Sequence, residues 1–340
     1  MAADAESMVE VAESWFQAGK RVAWATVVST WRSSPRPMGS QMVIAEDGHF
    51  AGSVSGGCIE GAVIAAALEL FGGAPPGLLE YGVSTEAAWE VGLPCGGKIS
   101  IFLCELPRSL HAQLLAARQQ RRLCACAFDL EARTQELWTP ELASALVSVS
   151  GPLRVAAEKA FRDEESRLIE AEGRRLFLLV LGSPLRLVVV GAVHLTQVLA
   201  QFTEVFGFEL TVVDPRTAFA TPERFPNARL VHEWPDTALA RLGLDRRTAV
   251  VVLSHDAKLD EPALGAALRS ECFYVGALGS RRTQEARRHR LSAEGFSEQA
   301  LQRLHGPVGL DIGALTTPEI AVSILAELIQ VRRKGEGSPT

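Results

Sequence analysis

Two cysteine loops and a series of polar loops in this chain have residue types and spacings suited to chemistry. The first cysteine loop is Ser53-Val54-Ser55-Gly56-Gly57-Cys58-Ile59-Glu60-Gly61. Two hydroxyls and two glycines stand directly before a helical pattern, which exposes backbone N–H donors at the positive end of a helix and suits an anion. A thiol at that point should be more acidic than a free one, so Cys58 is a candidate thiolate. A soft thiolate beside such donors suits a sulfur-rich or metal-bearing anionic ligand. The second loop, Gly92-Leu93-Pro94-Cys95-Gly96-Gly97, is of similar make. One such loop is what a tight turn with an inert thiol also looks like. Two in one small region weigh against that.

The polar loops lie in the C-terminal half. They carry Gly191 and His194, Asp214-Pro215-Arg216, Ser254-His255-Asp256, Gly279-Ser280-Arg281-Arg282, and Gly309-Leu310-Asp311-Ile312-Gly313. In a parallel α/β sheet such loops converge beyond the carboxyl ends of the strands, where ligands bind. Arg281 and Arg282, near a helix start, suit a phosphate, because guanidinium forks and helix N–H groups both favour anions. The plainer alternatives are a local loop cap for His255-Asp256 and a helix-start or core histidine for His194. Arg287, Arg288 and Arg290 read as a solvated helix face.

The elements that must hold these loops follow from the hydrophobic pattern. Residues 7–19 form an amphipathic helix stopping at Gly19. RVAWATVVST is a strand, and QMVIAEDGHFAGS a hairpin turning at Glu46-Asp47-Gly48. A small-residue helix from Ile59 to Leu70 ends at Gly72-Gly73, and KISIFLCEL is a strand. Residues 1–107 are thus an α+β domain. Residues 108–184 form a connecting segment with two hairpins and a charged helix from Arg154 to Asp163. Its Cys124 and Cys126 share one strand face and are expected as ordinary buried thiols.

From 185 to 334 apolar strands alternate with helices, the pattern of a Rossmann-like parallel sheet. Its last helix opens at Thr316-Thr317-Pro318-Glu319, a capping box with proline in the first turn. Residues 335–340 are expected to fray. The fold class is α/β. Gly191, followed by a helix and by Asp214 23 residues on, has the spacing of a dinucleotide fingerprint. The glycines themselves are missing: the chain reads Gly191, Val193 and Thr196 where GxGxxG is needed. Val193 would obstruct a pyrophosphate, which disfavours NAD(P) or FAD and leaves an NAD(P)-dependent oxidoreductase as the alternative function.

The chain has 340 residues, 47% hydrophobic and 22% charged, which predicts two or three domains with ordinary cores and excludes disordered, collagenous and disulfide-scaffold classes. The net charge of −6 opposes general nucleic-acid binding. Residues 1–110 hold 12 acids and 6 bases, while the remainder is balanced, so the whole deficit lies there. The most apolar stretch, Leu176 to Val193, is broken by Gly182, Pro184 and Arg186, so no membrane span is expected. The N-terminus lacks a basic n-region and the six cysteines form no CxxC pair, which predicts a cytoplasmic protein with reduced thiols.

STWRSSPRPMGSQMVI, GSVSGGCIEGAV and GLPCGGKISIFL resemble the N-terminal domain of the XdhC/CoxI family, the xanthine dehydrogenase accessory proteins. VVVGAVHLTQVL, ELTVVDPRTAFATPERFP, LSHDAKLD, YVGALGSRR and GPVGLDIGALTTPEIAVSILAEL resemble that family's Rossmann domain. The resemblance implies a chaperone that binds the molybdenum cofactor as molybdopterin or its nucleotide form. It would protect the cofactor while a cysteine desulfurase-type sulfurtransferase installs the terminal sulfur, then insert it into an apo molybdenum hydroxylase. The matching positions are Ser55, Gly56, Gly57, Cys58, Glu60 and Cys95, then Gly191, His194, Asp214, Arg216, His255, Asp256, Gly279, Ser280, Arg281 and Asp311, with Arg282 adjoining. Cys58 and Cys95 are the candidate molybdenum or sulfur contacts. Val193 departs from family members that carry glycine there. A homodimer is expected. The six scattered cysteines form no iron–sulfur run, so the chain is not itself a molybdenum hydroxylase.

Overall fold

The computed structural model describes residues 2–31, 36–82, 97–145, 151–171, 173–203 and 205–334. They form two compact units, Met1–Ser183 and Pro184–Thr340.

In the first unit, helix α1 (Ala2–Gln17) leads into β1 (Val22–Trp31), the hairpin β2 (Gln41–Ala45) and β3 (Phe50–Gly52), α2 (Glu60–Phe71), β4 (Gly77–Gly82) and β5 (Lys98–Glu105). The strands make an antiparallel sheet in the order β3-β2-β1-β5-β4. Strand alternation sends Val22 and Trp24 to one face and Ala23, Ala25 and Val27 to the other. Helix α2 covers the second face with Val63, Ala67 and Leu70, spaced to share one side of the helix.

The chain continues through α3 (Arg108–Gln119), β6 (Cys124–Asp129), β7 (Thr134–Trp138), α4 (Pro140–Ala145), α5 (Gly151–Asp163), β8 (Arg167–Ala171) and β9 (Arg174–Leu181). These strands form a second antiparallel sheet, β7-β6-β9-β8. Cys124, Cys126, Phe128, Phe177 and Leu179 from this sheet join Trp24, Phe102 and Cys104 in one core, closed by α1 and α3. Cys124 and Cys126 therefore lie on one buried face, as their spacing predicts.

The second unit holds β10 (Leu185–Val190), α6 (His194–Thr203), β11 (Phe208–Val213), β12 (Arg229–Val231), α7 (Pro235–Leu242), β13 (Thr248–Val252), α8 (Ala257–Arg269), β14 (Tyr274–Ala277), α9 (Arg281–Ala293), α10 (Glu298–Gln302), β15 (Leu304–His305) and α11 (Thr317–Lys334). Its sheet is parallel throughout, in the order β12-β11-β10-β13-β14-β15. Strand order reverses between β10 and β13, the switch point at which Rossmann sheets open a crevice. The strands are near-continuous Val and Leu because both faces are covered: Leu187 and Val189 pack into one core, Val188 and Val190 into the other. The capping box at α11 forms, with Glu319 accepting from the N–H groups of Leu315 (2.8 Å) and Thr316 (2.9 Å).

Candidate functional site

The Cys58 loop joins β3 to α2. Gly52 turns the chain out of β3 at φ +83°, where a Cβ would lie 2.3 Å from the Gln41 carbonyl oxygen, so glycine is obligatory. Gly56 (φ +80°) and Gly57 (φ +117°) then curl the backbone so that successive N–H groups converge. The group at their focus is the side chain of Glu60, folded back from the first turn of α2. Its Oε1 accepts from Ser53 Oγ (2.7 Å) and from the amides of Val54 (3.2 Å), Ser55 (2.9 Å) and Gly56 (3.1 Å). Its Oε2 accepts from Ser55 Oγ (2.5 Å) and the amides of Gly57 (2.9 Å) and Ile59 (3.2 Å). The amide of Cys58 donates instead to Ser55 Oγ at 3.0 Å.

Glu60 is buried. Burial opposes its charge, yet hydrogen bonds from Ser55, Ser53 and the backbone outweigh that cost and hold its pKa down to about 2. The donors that suit an external anion on sequence grounds are thus engaged by the protein's own carboxylate. The Cys58 thiol is left exposed on the same loop.

Cys95 lies outside the described residues. Of the described cysteines, Cys58 alone is exposed; Cys104, Cys124, Cys126 and Cys272 are buried. Burial pushes the Cys124 thiol up to about 11, and raises those of Cys104 and Cys126 further. Among the described residues no cluster of three His, Cys, Asp or Glu side chains could hold a metal ion. The acidic surplus of the first third is partly neutralised within this unit: Glu10 meets Arg118 (3.0 Å), Asp47 meets Lys20 (2.5 Å) and Glu105 meets Arg21 (2.5 Å).

In the second unit the first strand-to-helix turn is also braced from inside. Gly191 (φ +108°) lies so close to Ser254 that a Cβ would come within 2.8 Å of its backbone. Asp214, fully buried, accepts from the Ala192 amide (2.8 Å) and from Arg216 through Nε (2.9 Å) and Nη2 (2.7 Å). Burial raises the Asp214 pKa, but the Arg216 and Ala192 hydrogen bonds outweigh it and hold the group below the usual carboxylate range. The acid with ribose-binding spacing is thus tied into the fold. Val193 packs against the core beneath the turn.

Of the other loop residues, Asp256 caps α8 by accepting from the Lys258 amide, and Ser280 caps α9 by accepting from the Thr283 amide. Gly279 precedes that cap at φ +140°. His194 opens α6 and is exposed; His255 is exposed with a left-handed backbone at φ +61°. Arg281 and Arg282 stand exposed at the start of α9, and Arg281 approaches Asp311 at 4.0 Å.

Several supporting residues escape a reading of the sequence. Arg224 donates to the Ala192 carbonyl (3.0 Å) and to Gln197 Oε1 (3.0 Å), closing the turn from the other side. Ser254 Oγ donates to Asp260 (2.5 Å), which pairs with Arg287 (3.1 Å), which in turn donates to Gln284 (2.7 Å). Arg287 is only 4% exposed, so the expectation of a solvated face fails there: Asp260 and the Leu278 carbonyl after β14 draw it inward. Arg288 likewise donates to the Leu301 (2.8 Å) and Leu304 (2.9 Å) carbonyls, whereas Arg290 pairs with Glu261 near the surface. Glu327 anchors the Gly309 loop by accepting from its amide at 2.7 Å. The Asp260–Arg287 pair has no local signal, because the partners are 27 residues apart.

These features define a two-unit α/β protein: an antiparallel unit with an exposed thiol on a self-braced loop, then a Rossmann unit without the dinucleotide fingerprint. Residues 15–82 match the model of the XdhC and CoxI family, and residues 187–328 that of the XdhC Rossmann domain. The chain belongs to the XdhC and CoxI family. It is 29% identical over 332 residues to the molybdenum cofactor insertion chaperone PaoD of Escherichia coli (strain K12), spanning 97% of this chain and 89% of that one. It is 26% identical to a probable xanthine dehydrogenase subunit of Bacillus subtilis (strain 168), spanning 91% of this chain and 93% of that one. A crystal structure of a xanthine dehydrogenase from Bacillus halodurans shares the fold, with TM-score 0.76, 23% identity and coverage of 98% of this chain and 97% of that one.

Proposed function

We propose that this protein is a cytoplasmic chaperone of the molybdenum cofactor, acting as an accessory factor without a catalytic reaction of its own. It takes up the cofactor as cargo, shields it while a cysteine desulfurase-type sulfurtransferase supplies the terminal sulfur, and delivers it to an apo molybdenum hydroxylase of the xanthine dehydrogenase type. A homodimer is the proposed working form. The observation that carries this reading is Cys58: an exposed thiol on a braced loop, in a chain whose relative is named a molybdenum cofactor insertion chaperone.

The residues suit such a cargo. A metal held by a dithiolene is soft and matches a thiol donor, supplied by Cys58 and, from the sequence, by Cys95. A pterin phosphate or nucleotide is anionic and matches the guanidinium forks of Arg281 and Arg282, and the edge of the Arg216 guanidinium that Asp214 does not hold, at the carboxyl edge of the Rossmann sheet. An NAD(P)-dependent reaction is poorly supported, because Asp214 is buried against Arg216 and Ala192 and Val193 stands where glycine is needed.

Complementation tests this function. In cells lacking the native copy, Cys58→Ala should lower the activity of the client hydroxylase at least about tenfold at unchanged abundance of both proteins, as loss of a positioned metal-site contact does. Full client activity with the variant would contradict it.

A further inference from the structure

The Cys58 loop has one set of donors and two claimants for it: an anionic ligand from outside, or Glu60. We propose that Glu60 is the positioning residue for Cys58, a permanent internal anion that holds the loop closed and leaves the thiol as the loop's ligand-facing group. The part of this that concerns the cargo rests on the function proposed above; the part that concerns the loop stands on its geometry.

The amides of Val54, Ser55, Gly56, Gly57 and Ile59 and the hydroxyls of Ser53 and Ser55 all donate to one carboxylate. The two hydroxyls are used twice over. Ser53 Oγ also accepts from the Gly56 amide (2.9 Å), and Ser55 Oγ from the amides of Cys58 and Ile59 (both 3.0 Å). Cys58 is therefore fixed through Ser55, and Ser55 through Glu60. Charge-assisted hydrogen bonds are the strong class, and an incoming anion would have to replace all of them while expelling a buried negative charge beside it. Gly57 sits at φ +117°, a conformation glycine adopts without steric cost, with open space where a Cβ would go, so these hydrogen bonds rather than packing around a side chain hold the curl. The side chain that sets the thiol's place is thus two residues along the chain, on the first turn of α2.

The test uses the full-length protein without cargo. Two readouts are followed in the wild type, Glu60→Gln and Glu60→Ala: amide hydrogen exchange of residues 54–59, and the rate of Cys58 alkylation by iodoacetamide, read by peptide mass. The expected result is exchange at least tenfold faster across the loop in both variants, with β1 and β5 amides unchanged, and an alkylation rate shifted at least threefold. Glu60→Ala leaves room for a free carboxylate, so added acetate should restore both readouts in that variant alone. A purely structural contribution of the side chain would give no rescue. Should Glu60→Ala fail to fold, Glu60→Gln carries the same two readouts. Millimolar phosphate or molybdate should leave the wild-type loop unchanged. The proposal is overturned if the variants exchange and alkylate like the wild type, if acetate restores nothing in folded Glu60→Ala, or if phosphate or molybdate alters wild-type exchange at these amides. Cofactor content of the purified protein is measured separately, so a chain that carries no pterin defeats the function proposed above and leaves this loop assignment standing.

Discussion

Both units carry a glycine turn between a strand and a helix, and both set a carboxylate of the chain against that turn. In the first unit Glu60 comes from the adjoining helix and takes five amides and two hydroxyls. In the second, Asp214 comes from the neighbouring strand, takes the Ala192 amide, and turns its remaining acceptor capacity to Arg216. The first brace is local and complete, and what it leaves facing out is a thiol. The second is tertiary and charge-balanced, and what it leaves at the surface is a half-exposed guanidinium stacked on Phe219 at 4.5 Å. One plan thus leaves a soft thiol exposed in one place and a cationic side chain in the other.

The comparison can be broken most severely through the floor of the second turn. Arg287→Ala leaves Asp260 buried without its partner and should cost about 3–5 kcal/mol in urea denaturation. Gly191→Ala forces a methyl against the Ser254 backbone at an unfavourable φ and should cost roughly 1–3 kcal/mol by the same measurement. Gly57→Ala meets no neighbour within 4 Å, so its cost should be confined to backbone strain.

Acid titration separates the two braces more finely. Both carboxylates have lowered folded pKa values, so each contributes stability that is complete above its unfolded value and lost as pH falls through its folded one. For Glu60 that window runs from the ordinary 4.5 down to about 2, and Glu60→Gln should remove this part of the acid-unfolding limb. Asp214→Asn should remove a separate part beginning near 3.8. An acid limb unchanged in both variants would show that neither charge braces its turn. The smallest effect is expected at the rim: Arg281→Ala breaks only a 4.0 Å exposed approach to Asp311 and should change stability by less than about 0.5 kcal/mol.

What is legible in the sequence is what local signals encode. Strand β1, the hairpin at Asp47-Gly48, the α11 capping box and the parallel sheet from Leu185 all follow from short-range patterning and appear as expected. Helix α3 is not among the elements expected from the sequence, although Leu110, Leu114, Leu115 and Ala117 give it an apolar stripe at helical spacing. Residues 108–184 read as a connection because their inward face is complementary to another sheet, a relation no local window contains. At the site, the glycines and Cys58 are visible as unusual text. Glu60 is visible as a residue but not in its role: its target is a backbone curl that exists only once Gly56 and Gly57 adopt positive φ. Arg224 and Arg287 are hidden for the opposite reason, since their partners lie far along the chain.

The central claim is that the chain carries molybdenum cofactor through a contact at Cys58. Protein expressed with an intact cofactor pathway, purified without oxygen and then oxidised, should release fluorescent pterin in the wild type and at least about tenfold less in Cys58→Ser, with Cys272→Ser at wild-type level because that thiol is buried. Equal pterin in Cys58→Ser and wild type, or none in the wild type, would contradict it.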